Sequence, residues 1–253
     1  MLYYHETTYF EPDGKNGHWR SDYWEDFKDI LVPHQIKRGM HVVGVWETPV
    51  GSGPGNEFTF LYRINDWTDF GQFLDKRIRD MDFRERWSQQ WVYRQRWYTR
   101  LLVPAPGHEA GLLHRDMESA VEPQGPDRRD EPIRPHVYYQ ETVTFEVDGK
   151  DGHWRSEYWE DFKTILAPKM AEWGMRLIGV WETPVGAGNG NEFTFLWRTD
   201  NWTTFGRFLD NWKADTEFRE RWSHQAVYRQ QWYTKCLTAA PGHAISILHR
   251  QGE

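Results

Sequence analysis

The sequence predicts an α+β fold: two β-α-β-β-α-β repeats whose sheets close on one another as a single barrel. Three observations lead there. The chain of 253 residues is one unit written twice, and each unit alternates strand-like and helix-like hydrophobic periods in that order. Its aromatic content, 17% of residues with 16 Trp, is too high for sheets with one face left open to water.

The duplication is read directly. GKNGHWRSDYWEDFKDIL from Gly14 returns as GKDGHWRSEYWEDFKTIL from Gly149. GVWETPVGSGPGNEFTFLYR from Gly44 returns as GVWETPVGAGNGNEFTFLWR from Gly179, and FRERWSQQWVYRQRWYT from Phe83 as FRERWSHQAVYRQQWYT from Phe218. The copies stand 135 residues apart throughout, with His18 matching His153 and Trp97 matching Trp232, and roughly two thirds of aligned positions are identical. So close a match marks a recent duplication, which makes shared residues weak evidence of function. Residues 116–135 are rich in proline and charge and carry no aromatics, as an exposed linker does. The domains are therefore a first repeat, 1–115, and a second, 136–253.

Within the first copy, Tyr3–Phe10 has strand composition and stops at Pro12-Asp13-Gly14. Ser21 is placed to cap a helix running to about Arg38, in which Tyr23, Trp24, Phe27, Ile30 and Leu31 recur at three- and four-residue spacing. Gly39 stands where a helix C-cap glycine belongs. Met40–Trp46 and Asn56–Arg63 are the second and third strands, joined by the wide loop Pro49–Gly55. Asn65 or Asp66 caps a second helical stretch from Trp67 to about Arg96, broken near Asp80–Asp82, and Trp97–Val103 is the fourth strand. This is the order of a ferredoxin-like unit, one antiparallel sheet with two helices on one face. The other face must also be covered. Packing sheet against sheet does so, which makes two ferredoxin-like repeats forming a fused dimeric α+β barrel with helices outside.

Composition excludes several classes. A net charge of −7 gives no long-range attraction for nucleic acid. No apolar run approaches the roughly 20 residues that span a bilayer, and MLYYHETTYFEPDG lacks the basic and apolar regions of a leader. A cytoplasmic protein with no membrane partner is expected. The single cysteine, Cys236, forms no intrachain disulfide or thiolate cluster, and no HxH, HxxxH or HExxH pairing proposes a metal. The GSGPGN loop joins two strands instead of opening a helix, so it is no phosphate cradle. No Gly-x-Ser-x-Gly elbow is present.

Strand alternation sorts the third strand into two faces. Phe58, Phe60 and Tyr62 share one; Glu57, Thr59, Leu61 and Arg63 share the other. The aromatic face is expected under the helices. The mixed face, with its counterparts Glu192, Thr194, Leu196 and Arg198, is expected inside the barrel. There Arg63 or Arg198 would hold a substrate carboxylate or phenolate, while Glu57 or Glu192 orients a histidine or arginine. The plainer reading is ion pairing at strand ends, since charged residues are seldom buried unpaired. His18 and His153 precede the first helix of each copy near the expected barrel mouth and are the candidate acid–base groups, with hydrogen bonding to the helix start as the plainer role. His108 and His243 read as turn residues, His114 and His249 as surface ones. Trp19, Trp154, Trp46, Trp181, Tyr98 and Tyr233 are the rings expected to shape a cavity. The copies differ most at Trp91/Ala226, Arg38/Trp173 and Arg77/Trp212, where drift on helix surfaces competes with specialisation of two pockets. No cofactor is expected. Haem is the one kept in view, because a single axial histidine would suffice, although no axial motif stands out.

Gly44-Val45-Trp46, the glycine-rich loop, Gly55-Asn56-Glu57-Phe58-Thr59-Phe60-Leu61 and the strand-end ring (Tyr62, or Trp197 in the second copy) together resemble the NIPSNAP family. The resemblance covers roughly residues 3–104 and 138–239; HWRSxYWEDF at His18 and His153 stands outside it. It implies the dimeric α+β barrel and no particular reaction, because relatives of this fold include cofactor-free monooxygenases, polyketide cyclases, haem enzymes and proteins without known activity. The expected function is a cofactor-independent enzyme of specialised metabolism, acting on a hydrophobic or aromatic small molecule in an aromatic-lined pocket of each half. It would work by proton transfer (cyclisation, isomerisation, elimination) or by oxygenation of an acidic carbanion. A non-catalytic ligand-binding or scaffold protein is the alternative, and a haem-binding barrel the second. Pairing of the tandem unit into a homodimer stays open.

Overall fold

The computed structural model of the chain describes residues 1–10, 19–51, 56–90, 94–105, 136–145, 154–186, 191–226 and 229–240. The first half supplies β1 (Leu2–Phe10), β2 (His41–Gly51), β3 (Glu57–Ile64) and β4 (Arg94–Pro104). The second supplies β5 (Val137–Phe145), β6 (Arg176–Gly186), β7 (Glu192–Thr199) and β8 (Arg229–Ala239). They close into one antiparallel barrel in the order β1-β3-β2-β8-β5-β7-β6-β4. Two seams therefore join the halves, β2 against β8 and β4 against β6. Closure leaves no strand edge unpaired, which a four-stranded sheet alone would. The linker and both chain segments following β4 and β8 lie outside the described residues.

Alternation does what the sequence pattern predicts. Phe58 and Phe60 face outward beneath the helices, within 5.2 and 6.1 Å of the Trp24 ring. Leu61 faces inward, where it joins Tyr3, Val43, Trp46 and Leu102 and their second-half counterparts Tyr138, Ile178, Trp181, Leu196 and Leu237. Here the halves interlock: Tyr3 meets Trp181 and Trp46 meets Tyr138, each with ring centroids 5.3 Å apart. The Gly-x-Trp element follows from this packing. β2 bulges between Val42 and Gly44, and the Trp46 indole folds back across Gly44, over the space where a Cβ would stand. At Gly179 a Cβ would come within 2.6 Å of the Trp181 ring.

The helices cover the barrel: α1 (Trp19–Asp26), α2 (Val32–Ile36), α3 (Trp67–Arg79) and α4 (Met81–Gln90), then α5 (Trp154–Asp161), α6 (Ala167–Glu172), α7 (Trp202–Ala214) and α8 (Thr216–Ala226). Several details depart from expectation: α1 begins at Trp19, so Ser21 lies within it instead of capping it, and β2 runs on to Gly51 through part of the stretch expected as loop. The first helix is interrupted by a π turn at Phe27–Leu31, and its counterpart at Phe162–Leu166. Pro33 and Pro168 follow immediately. Proline has no N–H for an α-helical bond, and the widened turn, closed by the Val32 N–H on the Phe27 carbonyl, absorbs that loss. Further on, α4 ends at Gln90 and β4 begins at Arg94, so the helical stretch expected to reach Arg96 is shorter. Arg94 is held at the sheet by Glu6, 3.1 Å away. Asp66 is the cap of α3, accepting from the Asp69 N–H at 2.9 Å, and Gly39 ends the α2 region at φ 85°. No helix among the described residues is long and apolar enough to cross a membrane.

Candidate functional site

The barrel interior has two ends of different character. Toward Tyr3 and Arg63 it is filled by the aromatic and aliphatic cluster just described. Toward Tyr9 and Glu57 it opens into a cavity of about 640 Å³. Its wall is built of side chains that carry polar groups, drawn from both halves: Thr7 and Tyr9 of β1, Glu57 of β3, Tyr98 and Arg100 of β4 face Gln140, Thr142 and Thr144 of β5, Glu192 of β7, and Gln231, Tyr233 and Lys235 of β8. Each follows from the period-two rule, since the inward residues of one strand stack along its length. Tyr98 and Tyr233, exposed by 44% and 57%, stand at the rim.

Two ion pairs organise the wall. Lys235 Nζ donates to Glu57 Oε1 at 2.7 Å and to Thr59 Oγ1 at 2.8 Å. On the opposite side Arg100 Nε lies 2.6 Å from Glu192 Oε1. Thr48 and Thr183 donate to the same two carboxylates at 3.1 and 3.0 Å. Burial by itself would raise the Glu57 carboxyl. The Lys235 charge and the hydrogen bonds from Lys235, Tyr9 and Thr48 outweigh it and hold that carboxyl below its ordinary value. Burial lowers Lys235, Arg100 adds to the lowering, and Glu57 offsets only part of it. Burial, then the hydrogen bond to Glu57, raises the Tyr9 phenol, which stays protonated.

The structure divides the candidates read from the sequence. Glu57, Glu192, Tyr98 and Tyr233 come together on the cavity wall. Arg63 and Arg198 do face inward, but six residues further along β3 and β7, about 20 Å from the glutamates. There they lie buried beside the phenols of Tyr3 and Tyr138. Trp46 and Trp181 belong to the packed end. His18 and His153, and the side chains of Trp19 and Trp154, lie outside the described residues, as do His108, His114, His243 and His249. An aromatic-lined pocket in each half was expected; the cavity found is shared by the halves and polar.

Sequence reading missed His5, Arg100 and Lys235. His5 is buried on the inward face of β1, one alternation below Thr7. Burial and the nearby cations Arg100 and Lys235 keep its imidazole neutral; Gln140 faces it short of hydrogen-bonding geometry. The available signal was the repeat itself. His5 matches Gln140 and Arg100 matches Lys235, so the cavity's asymmetry sits at positions where the copies differ.

Two of the three differences have another cause, and Trp91 of the third, Trp91/Ala226, lies outside the described residues. Arg77 stacks on Trp87 at 4.7 Å, while its counterpart Trp212 packs on Trp222 at 6.1 Å. Arg38 covers Phe83 at 4.9 Å, and Trp173 covers Phe218 at 4.8 Å. A guanidinium and an indole serve as alternative lids on the same ring.

The donors described do not fit a haem. A porphyrin needs a flat apolar slot with an axial donor facing its iron, whereas this cavity is walled by threonines, glutamines and ion pairs. His5, the one buried histidine among the described residues, is flanked by cations. No group of three metal-ligating side chains occurs among the described residues.

No family model and no curated protein matches the chain. Solved structures do. An anthrone oxidase-like protein superposes with a TM-score of 0.58 at 11% identity, over 97% of this chain and 95% of that one. A proposed monooxygenase from Fusobacterium nucleatum subsp. nucleatum gives 0.57 at 9% identity, over 94% and 92%. A chlorite dismutase variant from Candidatus Nitrospira defluvii gives 0.53 at 13%, over 96% and 93%. At these identities the likeness is one of fold, the dimeric α+β barrel.

Proposed function

We propose that this chain is a small-molecule enzyme of NIPSNAP-like, ferredoxin-repeat ancestry whose substrate enters the polar mouth of the barrel. There the substrate loses a proton from a carbon activated by a neighbouring carbonyl or phenol. The resulting carbanion then rearranges or reacts with oxygen. The observation that carries this reading is the cavity of about 640 Å³ in which Glu57 and Glu192 each lie against a cation. That volume suits a drug-sized molecule. An ionised carboxylate is a base, and an adjacent ammonium or guanidinium stabilises the oxyanion that deprotonation creates.

In this reading Glu57 or Glu192 takes the proton, Arg100 and Lys235 hold the enolate or phenolate oxygen, and Tyr98 and Tyr233 flank a flat ring. The anion-holding role thus passes from Arg63 and Arg198 to the two cations on the cavity wall. His18 and His153 serve as further acid–base groups near the rim, and Trp19 and Trp154 shape it. The sequence resemblance and the names of two structural neighbours, a proposed monooxygenase and an anthrone oxidase-like protein, support oxygenation of an aromatic substrate. The hydrogen-bonding side chains of the wall suit a substrate that carries polar oxygen or nitrogen groups.

The test is oxygen uptake and product analysis with anthrones and aromatic β-diketones, without added flavin, metal or haem. Turnover that falls by about a hundredfold or more in the E57Q/E192Q double variant is expected. No turnover and no thermal shift with any of these compounds would favour the scaffold reading, and turnover only after haem is added would favour the haem barrel.

A further inference from the structure

Lys235 differs in kind from the rest of the cavity wall. It is a primary amine whose side chain is 15% exposed, toward the cavity, at the position where the first repeat has Arg100. The two cations are equivalent in place and unlike in chemistry. A guanidinium keeps its proton, whereas a lysine ammonium surrenders one readily when buried. The proton's acceptor is already in contact, because Nζ donates to Glu57 Oε1 at 2.7 Å. Thr59 Oγ1, at 2.8 Å, fixes the direction of the amine.

We propose that Lys235 is a nucleophile that forms an imine with the ketone or aldehyde of a substrate bound in the cavity, with Glu57 as its proton partner. The proposal rests on the reading of the barrel mouth as a small-molecule site, names its substrate class, carbonyl compounds, and gives Lys235 a covalent role in place of holding the enolate oxygen, which is left to Arg100. The step balances. Lys235 passes a proton to Glu57, and its lone pair forms a C–N bond to the carbonyl carbon. The carbonyl oxygen takes protons and leaves as water, so ammonium and ketone become a protonated imine and one water. The cationic imine then withdraws electrons from the adjacent carbon, which acidifies the C–H bond that a carboxylate removes.

The groups facing Nζ suit this. Glu57 on β3 stabilises the ammonium; burial and Arg100 on β4 oppose it, and their sum favours the free amine relative to a surface lysine. His5 on β1 is neutral and adds no charge, and Gln140 on β5 is uncharged. Tyr9 donates a further hydrogen bond to Glu57, which steadies the carboxylate beside Nζ.

The experiment is reductive trapping of the full-length protein with benzaldehyde and cyanoborohydride at neutral pH, read by peptide mapping. Lys235 should be labelled several times faster than the surface lysines, because burial and Arg100 favour its free amine. Lys235→Arg, which copies the arrangement at Arg100, should lose that adduct and no other. Labelling of Lys235 no faster than the surface lysines in the wild type overturns the imine. Whether the cavity takes small molecules at all is read separately, from thermal shifts of the wild-type protein by phenols without a carbonyl. The two readings therefore fail independently.

Discussion

Glu57 on β3 accepts from the Nζ of Lys235 on β8 at 2.7 Å, reaching across β2, which lies between them. The contact spans one seam of the barrel, and Glu192 with Arg100 spans the other across β6. The seams have short, irregular registers, while strand pairs within each half run in register for most of their length. Each ion pair thus fastens the halves where the backbone ladder is weakest. Removing one partner strands the other in a largely buried site, which costs more than removing both. We expect Glu57→Gln to lower stability by about 1–3 kcal/mol in urea unfolding, below the fully buried figure because Lys235 reaches cavity water. The double variant E57Q/K235M should recover at least half of that loss. Additive losses would mean that the pair contributes nothing as a pair.

The same pair sets a pH dependence. Glu57 is held below its ordinary value of 4.5, so the folded state binds that proton less readily than the unfolded chain. Its contribution is present above the unfolded value and is lost as pH falls through the folded one. Lys235 is lowered as well, which disfavours its charged form in the folded state. That penalty is present at neutral pH and is relieved as pH rises through its folded value. The stability difference between wild type and E57Q should therefore shrink from about pH 6 to about pH 3 in thermal melts. A difference constant over that range would deny the pair its electrostatic role.

Much of this arrangement was legible in the sequence, for reasons particular residues make plain. The barrel followed from the exact 135-residue repeat and from Phe58, Phe60 and Tyr62 alternating with Thr59 and Leu61. Alternation also places Glu57 and Arg63 on one face, but it cannot say that the barrel is packed at Arg63 and hollow at Glu57. That depends on Trp46, Trp181, Tyr3 and Tyr138 meeting from four different strands. Lys235 escaped notice because a lysine within a strand looks the same in sequence whether it meets water or a glutamate 178 positions away. The π turns were equally hidden, since their residues keep an ordinary helical spacing.

Gly44 offers a test of the packed end. The Trp46 indole crosses the space a Cβ would take, and the ring is itself pinned by Tyr138 at 5.3 Å. It cannot swing aside without opening the contact between halves. Gly44→Ala should therefore lower stability by about 1–3 kcal/mol, the usual cost of overpacking a tight core. Trimming the ring in the same chain, as Trp46→Leu, should make the added methyl harmless. Differential scanning calorimetry of the single and double variants checks this; an unchanged melting temperature for G44A would show that the ring repacks freely.

Tyr98 and Tyr233 separate a binding role from a structural one. Both occupy matching places at the rim and are roughly half exposed, so neither contributes much to the core. Truncating either to alanine should leave stability within about 0.5 kcal/mol of wild type, as for other surface changes. A flat aromatic ligand entering the cavity would lose one face of ring contact, worth about 0.5–1.5 kcal/mol. Its affinity, measured by calorimetric titration, should fall by roughly threefold to tenfold for each tyrosine. The surroundings then decide which loss is larger. Tyr98 is supported edge-on by Tyr9 at 6.2 Å, whereas the position matching Tyr9 is Thr144, which gives Tyr233 no such ring. The better-held ring loses less freedom on binding, so Tyr98→Ala should weaken the ligand more than Tyr233→Ala. Equal effects would place the ligand symmetrically between the halves, and no effect from either would place it below the rim, against Glu57 and Glu192.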